Sequence, residues 1–324
     1  MYNVFYVESP LQMLSANSAY KKFNEHKAIL IVNISHGDRV NNDKQLLQLI
    51  GNEWDEVYIQ KQRKGKITDI AETVKRTIYF FLKYRGYINK YFFGEYRNVD
   101  MALLRSALYP NESILLDDGS FTITAQNYYI KNRTSPYPHS VKYIIFKTFI
   151  KKLSPPNLYS FFKFESTLLK EQVNYFDLPS RKNINITKGT IYFFGSKFYE
   201  SKSMHLADEL KVLSGVIELY TDYTIFYVPH RDESQSKLDR ISTLGYQIKD
   251  LGKPAEIYFD ETNVMPEIVL SYYSTVLYSC HLRFSNVNLK SICVEKLLLQ
   301  ENAKINAAEI YEYYRQLGIQ LLII

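Results

Sequence analysis

Ser113-Ile-Leu-Leu-Asp-Asp-Gly-Ser120 is the stretch on which the fold turns. Ser113 to Leu116 is short and apolar enough for a buried strand, and carboxylates follow it directly. Gly119 permits positive φ, so the strand can end in a tight turn. A buried strand that stops at polar residues fits a parallel α/β sheet, whose ligands bind beyond the carboxyl ends of its strands.

Working outward, the same pattern recurs. Val4 to Val7 ends at Glu8-Ser9-Pro10, and a helical pattern follows through Leu11, Leu14, Ala19 and Tyr20. Ala28 to Ile34 is a continuous apolar run, typical of a strand covered on both faces. Asp43 to Ile50 reads as a helix and Glu56 to Ile59 as a strand. Thr68 to Tyr84 is a long helical pattern with Ile70, Val74, Ile78 and Phe81 roughly on one face. Tyr91 to Gly94 reads as a strand and Val99 to Leu108 as a helix. Residues 131–180 break the rhythm with Pro136, Pro138, Pro155, Pro156 and Pro179, and a linker is expected near Leu178 to Lys188. The alternation then restarts. Strands are expected at Thr190 to Phe194, Thr224 to Val228 and Glu256 to Phe259, with helices at Ser203 to Ser214 and Ala307 to Leu317. The fold class is therefore α/β: two Rossmann-like domains, 1–184 and 185–324, with parallel sheets facing a central cleft.

Composition narrows the function. The chain has 324 residues, 46% hydrophobic and 23% charged, which excludes wholesale disorder. Two cysteines, Cys280 and Cys293, are too few for a disulfide framework and suit a reducing cytoplasm. No apolar run approaches the roughly 20 residues of a membrane span, and the first residues lack the basic start of a signal peptide. Residues 1–180 hold 24 Lys+Arg and 17 Asp+Glu, a difference of +7, and the rest hold 16 and 17, a difference of −1. A basic first half suits an anionic surface. Lys61-Gln-Arg-Lys-Gly-Lys66 reads as a solvated loop. Lys142 to Lys152, with Tyr143, Phe146 and Phe149 interleaved, is the better membrane-surface segment.

Polar groups stand at five strand ends: Glu8-Ser9, Asp117-Asp118-Gly119, Gly195-Ser196, His230, and Ser274-Thr275. Inverting glycosyl transfer needs few parts. A carboxylate takes the proton of the attacking hydroxyl. A cationic or protonated group steadies the leaving phosphate, and backbone N–H groups and hydroxyls cradle it. Asp117-Asp118-Gly119 can supply the base, although Asp-Gly is also a common turn. His230, with Arg231 beside it, can meet a phosphate. There is no Asp-x-Asp, His-Glu-x-x-His, P-loop or Gly-x-Gly-x-x-Gly, and the six histidines show no metal-ligand spacing.

In order, Tyr6-Val-Glu-Ser-Pro-Leu-Gln12, Leu116-Asp-Asp-Gly-Ser120, Phe194-Gly-Ser196, Tyr227-Val-Pro-His-Arg231, Pro254-Ala-Glu256 and Ser271-Tyr-Tyr-Ser-Thr275 resemble the bacterial sialyltransferases of glycosyltransferase family 52. The resemblance implies a GT-B fold, with an acceptor-side first domain and a second domain that binds CMP-sialic acid. It implies a metal-independent enzyme without a cofactor, sialylating a terminal galactose of a capsule or lipooligosaccharide precursor, with α2,3 the expected linkage. Asp118 would be the general base, and His230 would meet the departing CMP phosphate. Gly195, Ser196, Arg231, Glu256, Ser274 and Thr275 would complete the donor site. Glu8, Ser9, Gln12, Asp117 and Gly119 would line the acceptor side. Two departures stand out. The His-Pro motif reads His230-Arg231 here, and Asp208, on the helix before the His230 strand, competes as the base. The expected setting is cytoplasmic, with peripheral contact at the inner face of the plasma membrane, no nucleic acid, and room for a homodimer. The alternatives are a related enzyme using another nucleotide sugar and a non-catalytic glycan-binding protein. A binding module has no need of polar strand ends in both halves.

Overall fold

The computed structural model describes residues 1–37, 39–132, 134–137, 141–150, 154–164, 173–175 and 181–324. The chain divides into two compact units, Met1–Phe176 and Asp177–Ile324.

The first unit is built on seven parallel strands: β1 (Tyr2–Val7), β2 (Lys27–Ile34), β3 (Glu56–Lys61), β4 (Ile88–Phe93), β5 (Glu112–Leu116), β6 (Asn157–Ser160) and β7 (Val173–Tyr175). They lie in the order β3-β2-β1-β4-β5-β6-β7. The order reverses between β1 and β4, whose partners run from Tyr2↔Ile88 to Tyr6↔Phe93. Ligands bind at such a switch point because the connections leave it in opposite directions and open a crevice. Helices α1 (Pro10–Lys22), α2 (Val40–Gln48), α3 (Lys66–Tyr84), α4 (Val99–Leu108), α5 (Phe121–Thr124) and α6 (Val141–Phe146) connect the strands. Local sequence explains α1: Ser9 Oγ caps it by accepting the Gln12 N–H, and Pro10 occupies the first turn, where no N–H is needed. The core runs under β1, where Phe5 stacks on Phe92 at 4.3 Å and meets Trp54 edge-on at 5.0 Å.

Helix α3 departs from the expected stripe. It buries Thr73, Phe80 and Tyr84, while Val74 and Ile78 of the predicted face are exposed. Phe80 packs edge-on against Tyr58 of the edge strand β3, and aromatic burial there outweighs the aliphatic row.

The second unit has β8 (Asn185–Phe194), β9 (Thr224–Val228), β10 (Gln247–Ile248), β11 (Val264–Ser271), β12 (Asn288–Ile292) and β13 (Gln320–Leu322). Their order, β10-β9-β8-β11-β12-β13, repeats that of the first six strands. Its helices are α7 (Leu206–Leu219), α8 (Gln235–Thr243), α9 (Ala255–Thr262), α10 (Thr275–Arg283) and α11 (Glu301–Gln316). Glu256 to Phe259, read above as a strand, belongs to α9. Pro254 stands at its N-cap and Asn263 closes it in the left-handed region at φ 52. Those two punctuation residues decide the state, since so short a run suits either. The expected linker also ends early, because β8 begins at Asn185. Leu178 of that linker lies outside the described residues.

Candidate active site

In the first unit the carboxyl ends of β1, β4 and β5 bring together residues that sit far apart in sequence. Gln12, 1% exposed, is the bridge. Its Oε1 accepts the Glu8 N–H at 2.8 Å, and its Nε2 donates to Asp118 Oδ1 at 2.7 Å. The Asp118 N–H donates to Thr122 Oγ1 at 2.9 Å, and Gly119 follows at φ 63, where a side chain would strain the turn. The two adjacent aspartates diverge. Asp117 is fully buried, accepting from Ser160 Oγ at 2.6 Å and from the Phe161 N–H at 2.8 Å. Burial pushes its carboxyl up to about 7. It ties β5 to the end of β6 and offers no surface to an acceptor, which corrects its expected acceptor-side place.

Two neighbours of Asp118 escaped the sequence reading, which stopped the β4 strand at Gly94. Glu95 stands close enough to Asp118 for its charge to act on that carboxyl. Arg97 grips Glu95 with Nε and Nη2 at 2.9 and 2.7 Å, and its Nη2 stands 4.0 Å from Asp118 Oδ2. The guanidinium lies 3.7 Å above the Phe121 ring centroid. Burial, then the Glu95 charge, raises the Asp118 carboxyl well above the usual range. Burial pushes Glu95 the same way, but Arg97 outweighs it and holds Glu95 low. Of the two carboxyls, Asp118 is therefore the one raised and Glu95 the one held low. Glu8 completes the group. Its Oε2 accepts from Asn98 Nδ2 at 2.6 Å and Asn33 Nδ2 at 3.3 Å, and burial, then Glu95, raises it. Ser9 acts as the α1 cap.

In the second unit the switch point lies between β8 and β11. Gly195 and Ser196 leave β8, and His230 and Arg231 follow β9. The His230 N–H donates to Glu233 Oε2 at 2.5 Å. The Asp232 N–H donates to His230 Nδ1 at 3.2 Å, so Nε2 carries the proton of the neutral ring. The imidazole keeps 31% of its surface exposed. Under this loop lies a buried ion cluster. Lys237 Nζ, wholly buried, contacts Glu209 and Glu233 carboxylates, each at 2.7 Å, and donates to the Ser196 carbonyl at 2.7 Å. Glu233 also accepts the Tyr227 hydroxyl at 2.7 Å. One lysine thus fastens the β8 end, α7 and the His230 loop. Burial raises Glu209 to about 7 despite Lys237.

Asp208, expected as the carboxylate competing with Asp118, stands beside Glu209, which turns inward. Successive helical residues differ by about 100° in direction, so only one of the pair faces the core. Asp208 is half-buried in the first turn of α7, and among the described residues no hydrogen bond or ion pair joins it to His230. Ser274 caps α10 through its Oγ, accepting the Val276 N–H at 3.4 Å, and Tyr314 Oη donates to its carbonyl at 2.6 Å. Thr275 opens that helix. Glu256 stands in the first turn of α9, which packs against α10. The Ser274–Thr275 end offers hydroxyls and N–H groups suited to a phosphate.

No protein-family model and no curated protein matches the chain. Several solved structures share its architecture. A 2,6-sialyltransferase of Photobacterium sp. JT-ISH-224, in a ternary complex with CMP and lactose, is 11% identical with a TM-score of 0.52, covering 99% of this chain and 78% of its own. The Staphylococcus aureus MnaA–UDP structure is 11% identical with a TM-score of 0.51, covering 98% and 88%. An α/β-galactoside α-2,3-sialyltransferase from Photobacterium phosphoreum is 14% identical with a TM-score of 0.47, covering 99% and 98%. The repeated strand order and the first two of these likenesses make the fold GT-B.

Proposed function

We propose that the chain is an inverting, metal-independent glycosyltransferase that moves sialic acid from CMP-sialic acid to a galactose-terminated acceptor. In this reading the first unit holds the acceptor and the second the donor. The acceptor is a capsular or lipooligosaccharide precursor and the linkage α2,3. The observation that carries the proposal is Asp118: a carboxyl at the end of β5, beside the switch point, oriented by Gln12 and raised by burial and Glu95. A raised carboxyl is the stronger base once ionised, and it suits the weakly acidic hydroxyl of a sugar.

The acceptor oxygen bonds to the anomeric carbon of sialic acid as the bond from that carbon to the CMP phosphate oxygen breaks. The hydroxyl proton passes to Asp118. His230 donates from Nε2 to a phosphate oxygen, and the Ser274–Thr275 end of α10 takes up the remaining charge. Lys237 and Glu233 hold the His230 loop in place. Glu256, Arg231, Gly195 and Ser196 are assigned to the nucleotide.

Peripheral membrane contact belongs to the same proposal. On and just after α6, Val141, Ile144, Ile145 and Phe149 are exposed beside Lys147, an apolar face with a basic residue suited to an anionic bilayer surface. Among the described residues no helix is long and apolar enough to cross a membrane.

A thermal-shift panel of CMP, CDP, UDP, GDP and CMP-sialic acid in EDTA tests the donor. Selective stabilisation by CMP and CMP-sialic acid is expected, about 2.7 kcal/mol at 100 times Kd. Preference for UDP or GDP overturns the donor assignment, and indifference to every nucleotide overturns the enzyme.

A further inference from the structure

The basic run Lys61–Lys66, read from sequence as a solvated loop, borders a cavity of about 420 Å³ in the first unit. Gln62, Arg63, Gly65 and Lys66 form one wall, and His36, Asp69, Asn98, Asp100 and Lys142 are among the others. Four chain segments therefore converge: the ends of β2, β3 and β4, and α6. The cavity adjoins the acceptor-side carboxylates, because Asn98 lines it and also donates to Glu8 at 2.6 Å.

The charges in the cavity do not cancel. Lys142 Nζ pairs with Asp69 at 2.8 Å and Asp100 at 2.6 Å, and Arg76 adds a second cation on Asp100 at 2.8 Å. Two cations thus balance the two carboxylates. Arg63 and Lys66 remain, exposed and without an ion-pair partner among the described residues. The amino ends of α3 and α4 open on the same space and add partial positive charge. The carboxylates are already committed to their lysine and arginine, so the excess field favours an anion over a cation.

We propose that this cavity is an acceptor subsite for an anionic group, a phosphate or a carboxylate, carried by the acceptor glycan beyond the sugar whose hydroxyl reacts at Asp118. It rests on the glycosyltransferase reading for its purpose but not for its occupancy. Arg63 and Lys66 contact the anion, and His36 and Asn98 border it. The subsite selects acceptors by charge and fixes their direction along the first unit.

Two experiments separate the subsite from the enzyme assignment. In the first, amine acylation of the full chain is followed by mass spectrometry with and without inorganic pyrophosphate. Lys66 should be labelled at least about threefold more slowly with pyrophosphate, with neighbouring Lys64 unchanged. Equal labelling of Lys66 with and without the anion overturns the subsite, whatever the protein catalyses. In the second, turnover from CMP-sialic acid is compared on lactose, lactose 1-phosphate and lactobionate. KM for at least one anionic acceptor should lie about tenfold below that for lactose, the worth of one charge-assisted hydrogen bond. The double variant Arg63→Ala/Lys66→Ala should erase that advantage and leave kcat on lactose unchanged. Preference for the phosphate or for the carboxylate identifies the source of the anion. Equal KM for all three acceptors in the unmodified protein overturns the inference and leaves the transferase intact. Protection of Lys66 without any turnover upholds the anion site and overturns the transferase.

Discussion

Replacing Glu95 with Gln tests the proton arrangement at Asp118 most directly. Gln is isosteric with Glu95, so the packing beside Asp118 can survive while one negative charge disappears. Arg97, now gripping Glu95, loses its counter-charge and is left to Asp118 at 4.0 Å. Arg97 already acts on Asp118 in the unmodified protein, so the change comes from the lost Glu95 repulsion. Two unit charges about 4 Å apart interact by about 4 kcal/mol at an effective dielectric of 20. Both carboxylates are partly exposed, and solvent screening leaves roughly a third, about 1.4 kcal/mol, or about one pKa unit. In the unmodified protein the raised Asp118 gives kcat/KM an acid limb, with activity appearing as pH rises and the carboxyl ionises. In Glu95→Gln that limb should move down by at least about one pH unit. The plateau should fall as well, because a less basic carboxylate accepts a proton less readily. The assay is the pH profile of kcat/KM on lactose, with thermal melts confirming that the variant folds. An unmoved limb, or one displaced to higher pH, would falsify the assigned effect of Glu95 on Asp118.

Other substitutions probe the remaining parts. Asp118→Asn should cut kcat by at least about a hundredfold while CMP affinity stays near normal; parallel loss of CMP binding would mark Asp118 as structural. Lys237→Met leaves Glu209 and Glu233 buried without a counter-ion and should cost about 3–5 kcal/mol, read by denaturant unfolding. Glu209 has a folded pKa raised to about 7, so its stabilising protonation is complete below its unfolded value near 4.5 and is lost as pH rises through 7. The Lys237→Met deficit should therefore be larger at about pH 8 than at about pH 5, and a pH-independent deficit would discard the buried-charge explanation. Gly195→Ala would set a methyl onto the Tyr227 hydroxyl and within 2.6 Å of Glu233 Oε2, the carboxylate that holds His230. Its CMP-dependent thermal shift should shrink while Asp118-side acceptor binding persists; normal CMP stabilisation would mean that the close approach has no bearing on the donor. EDTA should leave turnover unchanged, whereas dependence on added Mg²⁺ or Mn²⁺ would end the metal-free mechanism.

The sequence by itself determined the alternation of strands and helices, because buried parallel strands read as short apolar runs and their polar ends are abrupt. Leu116-Asp-Asp-Gly119 and Tyr227-Val-Pro-His230 were legible for that reason: chemistry that lies at a strand end also lies at a visible break in hydrophobicity. It could not rank neighbouring residues of the same type. Asp117 and Asp118 differ only in which way each side chain leaves a turn, and Asp208 and Glu209 only in which faces inward from a helix. Glu95, Arg97, Glu233 and Lys237 carry no motif. They matter because β1, β4 and β5 lie side by side in one sheet, and because α8 sends a lysine under the β8 and β9 ends. Those are contacts between residues tens of positions apart, set by strand order, and only the tertiary structure decided which charges are buried, which are paired and which carboxyl is raised.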